Sequence, residues 1–277
     1  MQRIGEELQL ATKAFTISGA QGNPPRILDM CMAPGGFLKT ALTHNPGSYA
    51  LAFSLPHSNG GHKSFIPREF NVEKRFLDVT MLAADMGMES IDNAHEDAGN
   101  FLPRQFISHQ PFDLVICDGQ VLRTHIRASY RERREAKRLT TTQLALGLQN
   151  LKPGGTMVVL LHKIEAWDTA NLIREFSEFA SVRLLKPKKG HANRSSFYMV
   201  ATNIRSQGPE AVRAVAKWKR IWRSATFDSD EEYQEELWNG EPPVEDFLRD
   251  FGPQLAALGE DIWKVQAEAL ARAWFVR

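Results

Sequence analysis

The chain has 277 residues, of which 43% are hydrophobic and 24% are charged. This length and composition exclude a disordered or fibrous protein, and they allow one large domain or one domain with an appendage. The net charge of +1, from 34 Lys and Arg against 33 Asp and Glu, predicts no general attraction to polyanions.

The N-terminal sequence MQRIGEELQLATKAF has no apolar run behind a basic start, and no later stretch approaches the roughly 20 apolar residues that a membrane span needs. Cys31 and Cys117 lie in apolar segments that are typical of neighbouring strand ends and not of a disulfide framework. We therefore expect an intracellular protein of the cytoplasm or nucleus, in a reducing compartment and without membrane association.

Short apolar runs alternate with helical patterns along the first 205 residues. Residues 26–29 predict a buried strand that breaks into a turn with Gly35 and Gly36, after which LKTALTH predicts a helix. Further strands are predicted over 49–55, 72–79, 113–117, 156–162, 181–186 and 196–202, and helices over 130–151 and 167–180. This alternation predicts an α/β fold with a doubly wound, mostly parallel sheet.

The pattern changes near residue 205. The stretches AVRAVAKWKRIWRS and QLAALGEDIWKVQAEALARAWFVR have a helical period with tryptophans at the apolar positions. We therefore divide the chain into a main domain, 1–205, and a helical C-terminal extension, 206–277, packed on it. Docking onto the main domain is the expected use of the tryptophans of this extension, which are Trp218, Trp222, Trp238, Trp263 and Trp274.

Charge is segregated along the chain in a way that the net value hides. Residues 121–138 hold seven Lys and Arg against two Glu, and residues 183–194 hold five Lys and Arg without an acid. Residues 228–250 are strongly acidic. The two basic segments predict local contacts with phosphates, or alternatively solvated helix faces.

The loop after the first strand, Asp29-Met-Cys-Met-Ala-Pro-Gly-Gly36, is the position at which open α/β sheets bind ligands. Gly35 and Gly36 lack Cβ atoms, so main-chain N–H groups could approach a small cofactor there. An ordinary strand-to-helix turn is the alternative interpretation.

Three motifs follow one another: DMCMAPGGF, a strand ending in Cys117-Asp118-Gly119, and LKPGG at 151–155 before another strand. This order resembles the FtsJ-like methyltransferases over roughly residues 10–204, with Asp29, Ala33, Pro34, Gly35 and Gly36 matching the family's Asp-x-x-x-Ala-Pro-Gly-Gly. The resemblance implies a Rossmann-like class I methyltransferase that takes S-adenosylmethionine and methylates ribose 2'-hydroxyls of RNA.

The resemblance also implies a set of cofactor-binding residues and no metal. The aminoacyl end of S-adenosylmethionine would lie along Gly35 and Gly36 in the 29–37 loop, which includes Phe37, and the adenine near Asp78. Asp78 could instead cap a helix. Ser54 stands where the family usually has an acid that holds the ribose. Asp118, at the end of its strand, would lie beside the methyl group.

FtsJ-like enzymes are thought to activate the hydroxyl with a Lys-Asp-Lys-Glu tetrad. Asp118 matches the aspartate, and Lys13 has about the spacing of the first lysine. Leu160 stands at the second lysine, so His162 or Lys163 is the candidate base from that strand end. Ser196 replaces the glutamate, which leaves the tetrad incomplete.

The basic segments 121–138 and 183–194 should emerge near this site, with His125, Tyr130 or His191 available to stack on bases. RNA is therefore the expected partner. Two alternatives stay open: a methyltransferase that acts on a small molecule or protein, and a noncatalytic module that binds cofactor or RNA.

Overall fold

The structure, a computed structural model, describes residues 1–18, 23–106 and 111–273. Within this part, one sheet contains seven strands: β1 (Arg26–Asp29), β2 (Tyr49–Ser54), β3 (Asn71–Phe76), β4 (Phe112–Cys117), β5 (Leu151–His162), β6 (Ser181–Leu185) and β7 (Ser196–Ile204). Their order is β3-β2-β1-β4-β5-β7-β6, and β7 alone runs antiparallel to its neighbours. The predicted mostly parallel sheet is confirmed.

Helices cover both faces of the sheet, as predicted. The described helices are α1 (Gln2–Thr12), α2 (Gly36–His44), α3 (Glu135–Gln149), α4 (Trp167–Phe179), α5 (Pro209–Phe227), α6 (Asp230–Trp238) and α7 (Val244–Ala271). Successive side chains of a strand point to opposite faces, so Ile27 and Ile116 pack in the layer with α1 and α2. Leu28 and Val115 pack in the other layer, with α3, α4 and α5.

Local hydrogen bonding moves some boundaries away from the sequence prediction. Strand β3 ends at Phe76 and not at 79, because the Asp78 carboxylate accepts the amide of Thr80 and starts a short 3-10 turn, Val79–Met81. Helix α3 begins at Glu135 and not at 130, after a 3-10 turn at Ser129–Arg131. Helices α1 and α6 were not predicted.

The C-terminal extension shares the core of the main domain. Helix α5 lies against α3, with Trp218 and Trp222 buried in the same apolar layer as Leu28. Trp238 is 58% exposed but stacks on Trp167 of α4, with ring centroids 6.0 Å apart, and Trp263 is 40% exposed. Trp274 lies outside the described residues. In the described part of the chain, no helix has the length and apolar character of a membrane span.

Candidate active site

A cleft opens at the carboxyl edge of the sheet, where the strand order reverses between β1 and β4. Parallel strands on either side of such a reversal send their loops in opposite directions, which leaves room for a ligand. The cleft is lined by residues 30–36 after β1, by Ser54 and its loop after β2, by residues 77–80 after β3, and by residues 118–122 after β4. The sequence placed Ala33, Pro34, Gly35, Gly36, Ser54, Asp78 and Asp118 at a ligand site, and the structure brings all of them to this cleft.

The two glycines of the first loop are required by contacts within the protein. Gly35 has a φ of +107°, and a Cβ there would lie 2.5 Å from the Ile66 side chain. A Cβ on Gly36 would lie 2.5 Å from the backbone nitrogen of Gln2. The loop therefore needs glycine for its shape and for the packing of α1. Gly35 is also the N-cap of α2 and has no side chain to bond the first amides of that helix, so these N–H groups are available to an anionic group in the cleft.

Asp78 combines a structural contact with a place on the cleft wall. Its Oδ1 accepts from the amide and the hydroxyl of Thr80 at 3.0 and 2.8 Å, and its Oδ2 accepts from Arg131 at 3.2 Å. The capping interpretation of Asp78 is thus correct, and a carboxylate oxygen shared with one guanidinium can still accept from a ligand. Ser54 is buried at the end of β2 on the same wall.

Two carboxylates, Asp29 and Asp118, lie near each other at the carboxyl ends of β1 and β4. Burial, followed by the charge of Asp118, raises the pKa of Asp29 well above its usual value. Asp29 is 1% exposed and accepts the amide of Cys31 at 3.0 Å, so it supports the loop and does not line the cleft. Burial raises the pKa of Asp118 to about 7. Asp118 therefore exchanges a proton near neutral pH, as acid–base chemistry requires.

Similarity to known proteins agrees with this geometry. A sequence model of the FtsJ-like methyltransferases matches residues 2–204. The chain belongs to the FtsJ-like methyltransferase family. It is therefore an S-adenosylmethionine-dependent methyltransferase, as its motif order implied. No curated protein sequence matches the chain.

Solved structures that resemble this methyltransferase share little sequence with it. An rRNA methylase from Streptococcus thermophilus is 11% identical, covering 65% of this chain and 87% of its own, with a TM-score of 0.37. The N-methyltransferase NodS from Bradyrhizobium japonicum is 13% identical over 73% and 97%, with a TM-score of 0.42. Human methyltransferase-like protein 13, in complex with S-adenosylhomocysteine, is 11% identical over 90% and 100%, with a TM-score of 0.43.

The donor set of the cleft suits S-adenosylmethionine, which carries a carboxylate, an ammonium and a sulfonium. The first amides of α2 can bind the carboxylate, and Asp118 offers negative charge beside the sulfonium. Phe37, which the sequence also assigned to the cofactor, is buried and packs edge-on against Tyr198 with ring centroids 5.1 Å apart. Phe37 thus belongs to the core beneath the loop and does not line the cleft.

The structure does not bring Lys13 to the cleft, which corrects the assignment made from its spacing. Helix α1 runs beside α2 in the same direction, because Gln2 lies against Gly36 and the carbonyl of Phe15 accepts from Asn45 at the other end of α2. Lys13 caps the far end of α1 and is exposed. Eleven residues of helix span about 16 Å, so Lys13 lies at the opposite edge of the sheet from Asp118.

The other candidates for the base lie at the rim. His162 and Lys163 are exposed at the end of β5, and neither lines the cleft. His162 Nε2 lies 3.2 Å from the side-chain nitrogen of Gln120, which does line it. Leu160 forms part of the cleft wall where the family has a lysine, and Ser196 is buried where the family has a glutamate.

Burial corrects part of the RNA surface expected from the first basic segment, 121–138. Arg131 binds Asp78 and Glu135, Arg134 binds Asp230 of α6, and the fully buried Arg138 binds Glu135 at 2.8 Å. Arg127 pairs with Glu132 and Lys137 with Asp168, while Arg123 and Arg133 are exposed. Most of this segment therefore holds the chain together, and a phosphate could reach only its exposed members.

The second basic segment, 183–194, divides in the same way. Lys186 is buried, and its ammonium donates to the carbonyl oxygens of Arg194 and of Ser196, the latter at 2.6 Å. Burial lowers the pKa of Lys186 to about 8. Lys188, Lys189 and Arg194 are exposed on the loop that carries His191, and His191 lines the cleft. This loop brings exposed cations to the rim.

Sequence reasoning missed the part that α5 plays in the cleft wall. Trp222 of α5 donates its indole N–H to the carbonyl of Thr80 at 3.0 Å, and Arg138 donates to the same oxygen at 3.2 Å. Thr80 lines the cleft. The helical period of α5 and its tryptophans indicated burial, but no signal in the sequence indicated which carbonyl the indole reaches.

Proposed function

We propose that this methyltransferase transfers the methyl group to a ribose 2'-hydroxyl of RNA. The observation that supports this most strongly is the place of Asp118 in the lining of a cleft whose rim carries exposed cations, and burial raises the pKa of Asp118 to about 7. Lys188, Lys189 and Arg194 can contact phosphates at that rim, and His125 and His191 line the cleft, where a base could stack. The resemblance to enzymes that methylate ribose points the same way.

In this proposal, different residues around the cleft bind different parts of the cofactor. The 33–36 loop and the first amides of α2 hold its aminoacyl end, Ser54 its ribose hydroxyls and Asp78 its adenine amino group. Asp29 keeps the loop in place through the amide of Cys31. The bound sulfonium supplies a methyl group to a nucleophile and has a good leaving group, so no metal is needed.

Asp118 orients the acceptor hydroxyl and helps to remove its proton. A ribose hydroxyl is a weak nucleophile at neutral pH, so a positioned base accelerates its reaction by about two to four orders of magnitude. His162 is connected to the cleft through Gln120, whereas Lys163 is exposed and does not line the cleft. Substituting each of the two by Ala and comparing the pH–rate profiles identifies the base, because only its loss should change the profile.

The proposal is tested by transfer of tritiated methyl groups from S-adenosylmethionine to total RNA, followed by alkaline hydrolysis. A 2'-O-methyl group removes the hydroxyl that attacks the phosphate, so label should remain in alkali-resistant dinucleotides. Label in mononucleotides, in protein or in a small molecule would contradict ribose methylation. Asp118→Ala, prepared in parallel, controls for contaminating enzymes.

A noncatalytic role is the second candidate, and Leu160 and Ser196 favour it because they replace two members of the family's tetrad. Firm binding of S-adenosylhomocysteine together with no transfer to RNA, protein or small molecules would support this role. In that case, RNA binding by the protein is the property to test next.

A further inference from the structure

A second groove lies beside the cofactor cleft. The two share Leu77, Asp78, Ile126 and Arg127 as a common wall. The side groove, as we name it, extends beyond that wall to Phe76 at the end of β3, to Asn59 in the loop after β2, and to Asp97 and Asn100 before β4. Because it opens next to Asp78, a ligand there would lie beside the cofactor and not in its place.

Two large apolar side chains of the side groove face water. Phe76 is 54% exposed and Ile126 is 66% exposed. Single exposed apolar residues are common on proteins, but two that line one groove next to an active site offer an apolar contact surface. Such a surface suits a planar ring that stacks or packs against it.

Polar groups stand at the edge of the same groove. Asn100 donates one amide hydrogen to buried Asp97 at 2.8 Å, and Asp97 also accepts the hydroxyl of Tyr130 at 2.9 Å. These bonds fix the Asn100 amide, whose carbonyl oxygen can accept from a ligand. Asn59 accepts from Ser58 through its side-chain oxygen, so its amide hydrogens can be donated. One donor and one acceptor beside an apolar face match the edge of a nucleobase.

The charge of the side groove argues against a phosphate as its ligand. The guanidinium of Arg131 at its base is bound to Asp78 and Glu135, and that of Arg127 to Glu132. Exposed cations lie instead in the loops that border the cleft, with Lys63 after β2 and Arg123 after β4. A nucleic acid strand could therefore place its phosphates on these loops and a base in the groove.

We propose that the side groove binds one unstacked nucleobase of a single-stranded RNA substrate, at a nucleotide near the one that is methylated. This rests on the proposed function and adds a recognition site to it. Phe76 and Ile126 supply the contact surface, and Asn59 and Asn100 bind the base edge. Stacking involves no contact with phosphates, so its contribution to the affinity should not depend on salt as that of the ionic contacts does.

The test is fluorescence anisotropy of a labelled short single-stranded RNA with saturating S-adenosylhomocysteine over a series of salt concentrations. Phe76→Ala should weaken binding about tenfold. The slope of log Kd against log salt should stay unchanged, and Phe76→Tyr should restore the affinity because it keeps the ring. Trp238→Ala is the matched control, since Trp238 is as exposed but lies on α6 outside the groove.

Each outcome decides the matter. Far-ultraviolet circular dichroism shows whether Phe76→Ala is folded, and calorimetric binding of S-adenosylhomocysteine should then be equal in wild type and variant. A loss of that binding in a folded variant would assign the groove to the cofactor and overturn the inference. RNA binding that Phe76→Ala and Ile126→Ser leave intact would overturn it while the proposed function stands. A wild-type protein that binds no RNA would overturn both.

Discussion

Replacing Asp118 with Asn should stabilise the protein without ligand, and more at high pH than at low pH. Burial raises the pKa of Asp118 from 3.8 to about 7. The folded state thus binds a proton more tightly than the unfolded chain, and the contribution of Asp118 to stability falls as pH rises from about 4 to about 7. Asn keeps the shape and carries no charge, so it does not incur this loss.

The magnitude follows from the shift. A difference of about three pKa units corresponds to about 4 kcal/mol over the full window. A change from pH of about 5 to about 8 crosses roughly two pH units of this window, which corresponds to about 3 kcal/mol. This is an upper limit, because Asp118 keeps some contact with solvent.

Urea unfolding of wild type and Asp118→Asn at the two pH values measures the effect. The reasoning predicts that the difference in unfolding free energy between variant and wild type grows by up to about 3 kcal/mol from the lower to the higher pH. A difference that is the same at both pH values would refute the claim that burial holds a proton on Asp118. An active-site carboxylate kept at the expense of stability would be consistent with a role in proton transfer.

Three further substitutions follow from the geometry. Gly35→Val should abolish binding of S-adenosylhomocysteine in calorimetry, because residue 35 has a positive φ and a side chain there would collide with Ile66. Gly47→Ala is the control, since residue 47 also has a positive φ but lies in open space, and it should retain binding. Equal binding by both variants would contradict this reasoning. Asp118→Ala should reduce turnover about a hundredfold or more and leave the affinity for S-adenosylhomocysteine nearly unchanged, and an Ala variant that keeps wild-type activity would rule out its role. Trp222→Phe removes the indole donor to the cleft wall together with part of the ring volume, and it should weaken S-adenosylhomocysteine binding severalfold, about 1 kcal/mol. Trp218→Phe, on the same buried helix face, should leave this affinity unchanged. Equal losses of affinity in the two variants would show a general packing effect.

The strands and the cofactor loop could be predicted because their signals are local. A run such as Asp113-Leu-Val-Ile-Cys117 is apolar over its whole length, as a strand covered on both faces must be, and it ends at a polar residue. The same logic placed Asp118 at the carboxyl edge. Gly35 was singled out from the sequence for the approach of a ligand to the backbone, whereas in the structure its φ and its neighbour Ile66 require a glycine there.

The partners of charged residues could not be predicted, because they depend on contacts that are distant in sequence. Arg134 lies 96 residues from Asp230, and the ion pair between them joins the basic segment to the acidic one. From the sequence, the basic segment predicted contacts with phosphates, and no signal indicated that the acidic segment would pair with it. For the same reason, spacing alone could not show that Lys13 ends at the far edge of the sheet, since this depends on the direction of α1.

The most direct test of the account is a crystal structure of the protein with S-adenosylhomocysteine. We predict that the ligand lies in the cleft, with its carboxylate at the start of α2, its adenine beside Asp78 and its sulfur on the side of Asp118. Density for the ligand at any other place in the fold, or an adenine that occupies the side groove at Phe76, would contradict the assignment of the site.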